Sequence, residues 1–132
     1  MDIGPIVLDS SAFLALCVNE PGADHVERAI SASTQVFMTA VNLTESTSRL
    51  LRLQWTVDEV EAAVRDLDIE VIRDERALAL LAGELHARTR SIGLSMGDAL
   101  CLAAALRDAW PVFTADRVWA TLKLEIPVVV IR

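Results

Sequence analysis

Lysine is almost missing from this chain. Of twelve basic residues among 132, only Lys123 is not arginine, and nineteen acidic residues leave a formal charge of −7. A generic polyanion binder relies on basic clusters that release counterions, and no such cluster is present. Cysteine is also scarce: Cys17 and Cys101 each lie in an apolar helical pattern. That placement suits buried, reduced thiols in a cytoplasmic protein better than a disulfide framework. No apolar stretch approaches the length of a membrane span, and Asp2 stands where a signal peptide carries basic residues. A cytoplasmic protein with no membrane partner is the expectation. Repeats, low-complexity tracts and linkers are missing too, so residues 1–132 read as a single domain. A chain of this length buries roughly two thirds of its unfolded surface.

Apolar residues are abundant, at 53%. Such richness implies a sheet covered on both faces, a surface that covers a partner, or both. The run Ile6-Val7-Leu8-Asp9-Ser10-Ser11 reads as a buried strand ending on a carboxylate, with Ser10 or Ser11 capping a helix that runs to about Val18. Asn19-Glu20-Pro21-Gly22 marks a turn, and Ala23 to Ala32 reads as a helix with His25 exposed. Gln35 to Met38 is a second strand, after which Thr39 caps a helix from Ala40 to about Leu53. Thr56 and Glu59 have capping-box spacing and open a helix to about Leu67.

Glu70 to Ile72 is a third strand, followed by a long helix from Asp74 to Arg90. Ser95 and Asp98 form a second capping-box pattern at the head of an alanine-rich helix reaching Ala109. Pro111 to Thr114, a short helix over 118–122, and Val128 to Ile131 complete the pattern. Strands that alternate with helices and are apolar throughout indicate an α/β sandwich around a mostly parallel sheet.

In such a sheet, ligands gather beyond the carboxyl ends of the strands. Asp9 and Asp116 lie there directly, and Glu45 lies just over a turn into the helix after strand two. Asp98 follows by topology: its helix enters strand four through only Asp108-Ala109-Trp110. It therefore runs antiparallel to that strand and starts above the strand's carboxyl end. Two carboxylates about 4 Å apart repel by about 4 kcal/mol at an effective dielectric of about 20. A divalent cation relieves that repulsion. Hard Mg²⁺ or Mn²⁺ suits an oxygen-donor set, and no His/Cys set suited to zinc is present.

Each acid also has an ordinary reading. Asp98 fits a helix start, Asp116 a turn, and Glu45 an i,i+4 pair with Arg49. Asp9 is hardest to explain without function, because it ends a fully apolar strand. His86 lacks a serine or cysteine nucleophile beside it, and Trp55, Trp110 and Trp119 read as packing residues.

Four segments carry a resemblance: Val7-Leu8-Asp9-Ser10-Ser11-Ala12, Ala40-Val41-Asn42-Leu43-Thr44-Glu45, Gly93-Leu94-Ser95-Met96-Gly97-Asp98-Ala99 and Phe113-Thr114-Ala115-Asp116-Arg117-Val118-Trp119. In this order the chain resembles the PIN-domain ribonucleases, in particular the VapC toxins of bacterial toxin–antitoxin pairs. The resemblance implies a PIN-like three-layer sandwich with sheet order 3-2-1-4-5 and metal-dependent endonucleolytic cleavage of RNA. Asp9, Glu45, Asp98 and Asp116 are similar to the family's acidic quartet. Ser10 and Thr114 match supporting hydroxyl positions, and Asn42 lies one helical turn before Glu45. A homodimer and a small antitoxin covering the site are further implications, with transfer RNA or ribosomal RNA as substrate.

On this reading Asp9, Asp98 and Asp116 hold Mg²⁺ or Mn²⁺, Glu45 binds metal or orients the attacking water, and nearby arginines position phosphate. The alternative is a catalytically silent PIN-like module whose acidic pocket receives a basic peptide. Aspartyl phosphotransfer of the receiver or haloacid-dehalogenase type fits poorly. The first strand has no Asp-Asp or Asp-x-Asp, and Lys123 comes after the fourth strand.

Overall fold

The computed structural model describes residues 2–73 and 75–132. Five strands, β1 (Pro5–Leu8), β2 (Gln35–Thr39), β3 (Ile69–Ile72), β4 (Val112–Thr114) and β5 (Val128–Val130), form one sheet of order β3-β2-β1-β4-β5. All four pairings are parallel, with Val7 opposite Phe37 on one side and Val112 on the other. The helices are α1 (Ser10–Val18), α2 (Ala23–Ala32), α3 (Ala40–Arg52), α4 (Val57–Asp66), α5 (Arg76–Arg88) and α6 (Met96–Asp108), and a 3₁₀ turn spans Arg117–Thr121. The start expected for α5 at Asp74 lies outside the described residues.

Successive side chains of a strand point to opposite faces, and here both faces are covered. Val7, Phe37 and Val112 pack with the buried residues of α5 and α6, whereas Ile6, Leu8, Val36, Met38 and Phe113 pack with those of α1, α2, α3 and α4. This accounts for the continuous apolar runs. No described helix is long and apolar enough to cross a membrane.

α6 lies across the sheet with Gly97, Ala99, Cys101 and Leu102 through Ala105 all buried. Its small side chains let its backbone come close to the strands and to neighbouring helices. It ends where Ala109 adopts a left-handed conformation (φ 57°), and Trp110 then stacks on Phe37 with ring centroids 4.3 Å apart. The short return into β4 places the start of α6 at the carboxyl edge of the sheet, as the topology requires.

Two local expectations are corrected, and one is met. Asp9, not Ser10 or Ser11, caps α1: its backbone is extended (φ −85°, ψ 179°) and its carboxylate accepts the Ala12 N–H. A carboxylate one residue earlier satisfies the helix's unpaired donor as well as a hydroxyl does. His25 is half-buried, its ring set edge-on against Phe113 with centroids 6.2 Å apart. Trp119 is fully buried in the 3₁₀ turn, which fits packing and excludes a surface stacking role.

Candidate functional site

The carboxyl edge of the sheet carries an open cleft of about 220 Å³ lined by Asp9, Ser10, Ser11, Leu14, Glu45, Asp98 and Asp116. The four acids arrive from four places: the end of β1, the second turn of α3, the first turn of α6, and the exit of β4. A larger hollow of about 410 Å³ lies along β3, beside Arg107 and Trp110. There Arg107 is already paired with Glu75 and Asp108, so the hollow has no comparable unneutralised set.

Asp9 is only 5% exposed. Its Oδ1 accepts the Ala12 N–H at 2.8 Å, Thr114 Oγ1 donates to Oδ2 at 2.6 Å, and Ser11 Oγ lies 2.7 and 2.9 Å from the two oxygens. The donors are themselves held: Ser11 Oγ accepts the Ala115 N–H at 2.8 Å and Thr114 Oγ1 accepts the Asp116 N–H at 3.0 Å. Burial pushes the Asp9 carboxyl up to about 6, against the lowering effect of Thr114, Ala12 and Ser11, and the nearby Asp98 charge adds to the rise.

Glu45 is oriented from two helices. Its Oε1 accepts Ser10 Oγ at 2.9 Å and Asn42 Nδ2 at 2.8 Å, not a guanidinium of Arg49. The Asn42 amide also reaches the Gly97 carbonyl at 3.4 Å, which ties α3 to α6. Asn42 is 1% exposed, and its Oδ1 has no partner among the described residues.

Asp98 is a helix-start acid that also lines the cleft. It closes a capping box, its Oδ2 accepting the Ser95 N–H and its own N–H donating to Ser95 Oγ, each at 3.0 Å, and it lines the cleft. Burial raises its carboxyl above the usual range. The two Ser95 bonds oppose this, and the charges of Asp116 and Glu45 reinforce it. Asp116 is exposed, and its Oδ1 accepts the Val118 N–H at 3.0 Å.

Every sequence-predicted residue except Thr114 and Asn42 lines the cleft, and those two hold residues that do. The expected arginines do not line it. Arg117, the nearest in sequence to Asp116, donates instead to the carbonyl of Arg132 at 2.9 Å. Sequence reasoning passed over Ser11, whose hydroxyl joins Asp9 to the β4 exit. The second serine after a strand-terminal acid was its signal.

The donor set fits a hard cation, because only oxygen ligands reach the cleft. Cys101 is fully buried, and its thiol is pushed well up by burial and then by the Asp9, Asp98 and Glu45 charges, so it offers no thiolate. Among the described residues no three Asp, Glu, His or Cys side chains already form a metal-binding cluster. Each acid is turned to its own hydrogen-bond donors.

No curated protein sequence matches the chain. Among solved structures, VapC20 of Mycobacterium tuberculosis, a sarcin–ricin loop cleaving toxin, superposes with a TM-score of 0.73 at 21% identity, over 93% of this chain and 99% of that one. A toxin–antitoxin complex from Klebsiella pneumoniae gives 0.72 at 13% identity, over 93% and 99%. VapBC-5 of Mycobacterium tuberculosis, a member of the VapBC toxin–antitoxin family, gives 0.61 at 22% identity, over 96% and 98%. At such identities the likeness concerns the fold. A sequence model of the PIN domain matches residues 6–123, nearly the whole chain. With that match, the five-stranded parallel sheet and its order, the chain belongs to the PIN-domain family.

Proposed function

We propose that this chain is a metal-dependent endoribonuclease toxin of the VapC kind, acting in the cytoplasm and neutralised by a small antitoxin. The observation that carries the proposal is the convergence of Asp9, Glu45, Asp98 and Asp116, from four separate elements, on one cleft at the carboxyl edge of the sheet. The fold likeness to toxin–antitoxin proteins supports the biological role.

Asp9, Asp98 and Asp116 are the proposed holders of Mg²⁺ or Mn²⁺. When bound, the cation supplies charge for an attacked phosphodiester and lowers the pKa of water. The residues divide the remaining work. Three donors on Asp9 leave about one of its four lone-pair positions for a ligand, so its carboxylate is presented in one fixed orientation. Glu45 has Oε1 occupied by Ser10 and Asn42, so Oε2 is the oxygen left to join the metal-holding set or to orient the attacking water. Asp98 and Asp116 each keep one oxygen without a partner among the described residues. Transfer RNA and ribosomal RNA are the substrate classes the family implies, and the sarcin–ricin loop cleaved by VapC20 is one defined RNA to test. A homodimer completes the proposal.

Two measurements test it: titration of Mn²⁺ into the protein alone by calorimetry, and end-mapping of total RNA after incubation. Metal uptake with discrete new RNA ends is expected. Retained metal-dependent cleavage by an Asp9→Asn/Asp98→Asn double variant would falsify the assignment of the acids. A protein that takes up no Mn²⁺ and only binds basic peptides is the silent module instead.

A further inference from the structure

We propose that Gly97 is a positioning residue: the missing side chain there sets where the Glu45 carboxylate lies against the first turn of α6. A Cβ built on Gly97 would meet Oε1 and Oε2 of Glu45 at 2.7 Å each and Cδ at 2.9 Å. Contacts that short lie well inside the van der Waals minimum. The glycine is not required by its backbone, which is helical, whereas Gly4, Gly22 and Gly93 have positive φ. Glycine inside a helix is less stable than alanine, so the choice works against local stability. Steric room for Glu45 explains it.

Glu45 is drawn into that room from two sides. Ser10 and Asn42 both donate to Oε1, and the Asn42 amide also reaches the carbonyl of Gly97 itself. Rotating this amide by half a turn would face Oδ1 toward the carboxylate, so the orientation is kept even though Oδ1 has no partner among the described residues. The carboxylate is the free end of a flexible side chain. The α6 backbone, by contrast, is packed through buried Gly97, Ala99 and Cys101. A methyl group at position 97 therefore displaces Glu45 and leaves the helix in place. Displacement breaks the Ser10 and Asn42 bonds and turns the carboxylate away from the other acids.

This inference rests on reading the cleft as a divalent-cation site. The test compares wild type, Gly97→Ala, Glu45→Asp and the double variant by metal-free thermal midpoint, by calorimetry with Mn²⁺ alone, and by RNA cleavage. Gly97→Ala should lower Mn²⁺ affinity and cleavage roughly 10- to 100-fold, with a thermal midpoint near wild type, because the helix gain of alanine over glycine offsets the lost Ser10 and Asn42 bonds. In the Glu45→Asp background the carboxylate is drawn back by one methylene, and the same substitution should change Mn²⁺ affinity little. Wild-type Mn²⁺ affinity in Gly97→Ala, or equal losses in both backgrounds, overturns the proposal. Failure of the cation reading shows separately, as no Mn²⁺ uptake by wild type. The midpoints then decide: Gly97→Ala should stabilise the Glu45→Asp protein more than the Glu45 protein, and equal gains overturn the contact.

Discussion

The two walls of the cleft hold their acids in opposite ways. On the strand wall, Asp9 is buried and both its oxygens are engaged, through hydroxyls that are themselves fastened to the backbone after β4. On the helix wall, Glu45 is exposed and has one oxygen held by Ser10 and Asn42, while Asp98 shares only Oδ2 with its own cap. One wall offers a carboxylate in a preset orientation, at a desolvation cost. The other offers carboxylates that can still turn, each with an oxygen uncommitted. Such a division suits a site in which one ligand fixes a cation's place and others adjust to substrate.

The largest expected effect comes from the helix wall. Asp98→Asn should lower RNA cleavage by roughly 10²–10³-fold, the range for losing one electrostatic contributor to a transition state. Its amide oxygen can still accept the Ser95 N–H, so circular dichroism and the thermal midpoint should stay near wild type. A cleavage rate within a few-fold of wild type would remove Asp98 from the chemistry.

The strand wall is tested next through pH in metal-free protein. The folded Asp9 carboxyl, at about 6, lies above its ordinary value of 3.8. As pH rises from about 4 to about 6 the unfolded chain releases this proton first, so stability falls, by up to about 3 kcal/mol, and then levels off. Asp98 faces the same group and adds to the rise. Other carboxylates titrate in the same range, so the readout is the difference between wild type and Asp9→Asn in denaturant midpoint against pH. A difference that is flat from pH 4 to 7 contradicts the burial account.

Removing one support from each wall sharpens the contrast further. Thr114→Val takes a donor from buried Asp9 and an acceptor from the Asp116 N–H, and should cost about 1–3 kcal/mol of stability. Metal affinity should fall roughly 10- to 100-fold. Ser10→Ala leaves Glu45 bonded to Asn42 and should lower cleavage only a few-fold, with little change in melting. Equal effects from the two substitutions would mean that the walls do not differ as described. The smallest effect concerns the thiols. Burial raises Cys17 to about 11 and pushes Cys101 well above the usual thiol range, so neither should be alkylated by iodoacetamide at neutral pH in native protein, and both should react after unfolding.

Much of the site could be read before the fold was known because parallel topology converts order along the chain into position along one edge. Asp9 and Asp116 follow strands directly, and the brevity of Asp108-Ala109-Trp110 forces Asp98 to the same edge. The supporting contacts were less legible. Ser11 touches Asp9 two residues away, but its role depends on the Ala115 N–H, 104 positions distant in the chain. The expected arginines illustrate the converse: closeness in sequence puts Arg117 beside Asp116, yet its guanidinium turns to the carbonyl of Arg132.

By itself the sequence determined the alternation of elements, the apolar strands that require covering on both faces, and the order in which four acids reach the sheet edge. These follow from short-range periodicity and from connections too brief to allow another arrangement. Tertiary structure alone decided how each acid is held: that Asp9 caps α1 while accepting from Thr114, that Asn42 bridges Glu45 to Gly97, and that a glycine's missing Cβ leaves room for a carboxylate from another helix. Hydrogen bonds and close contacts act over about 3 Å between segments far apart in the chain, and only packing brings such segments within that range.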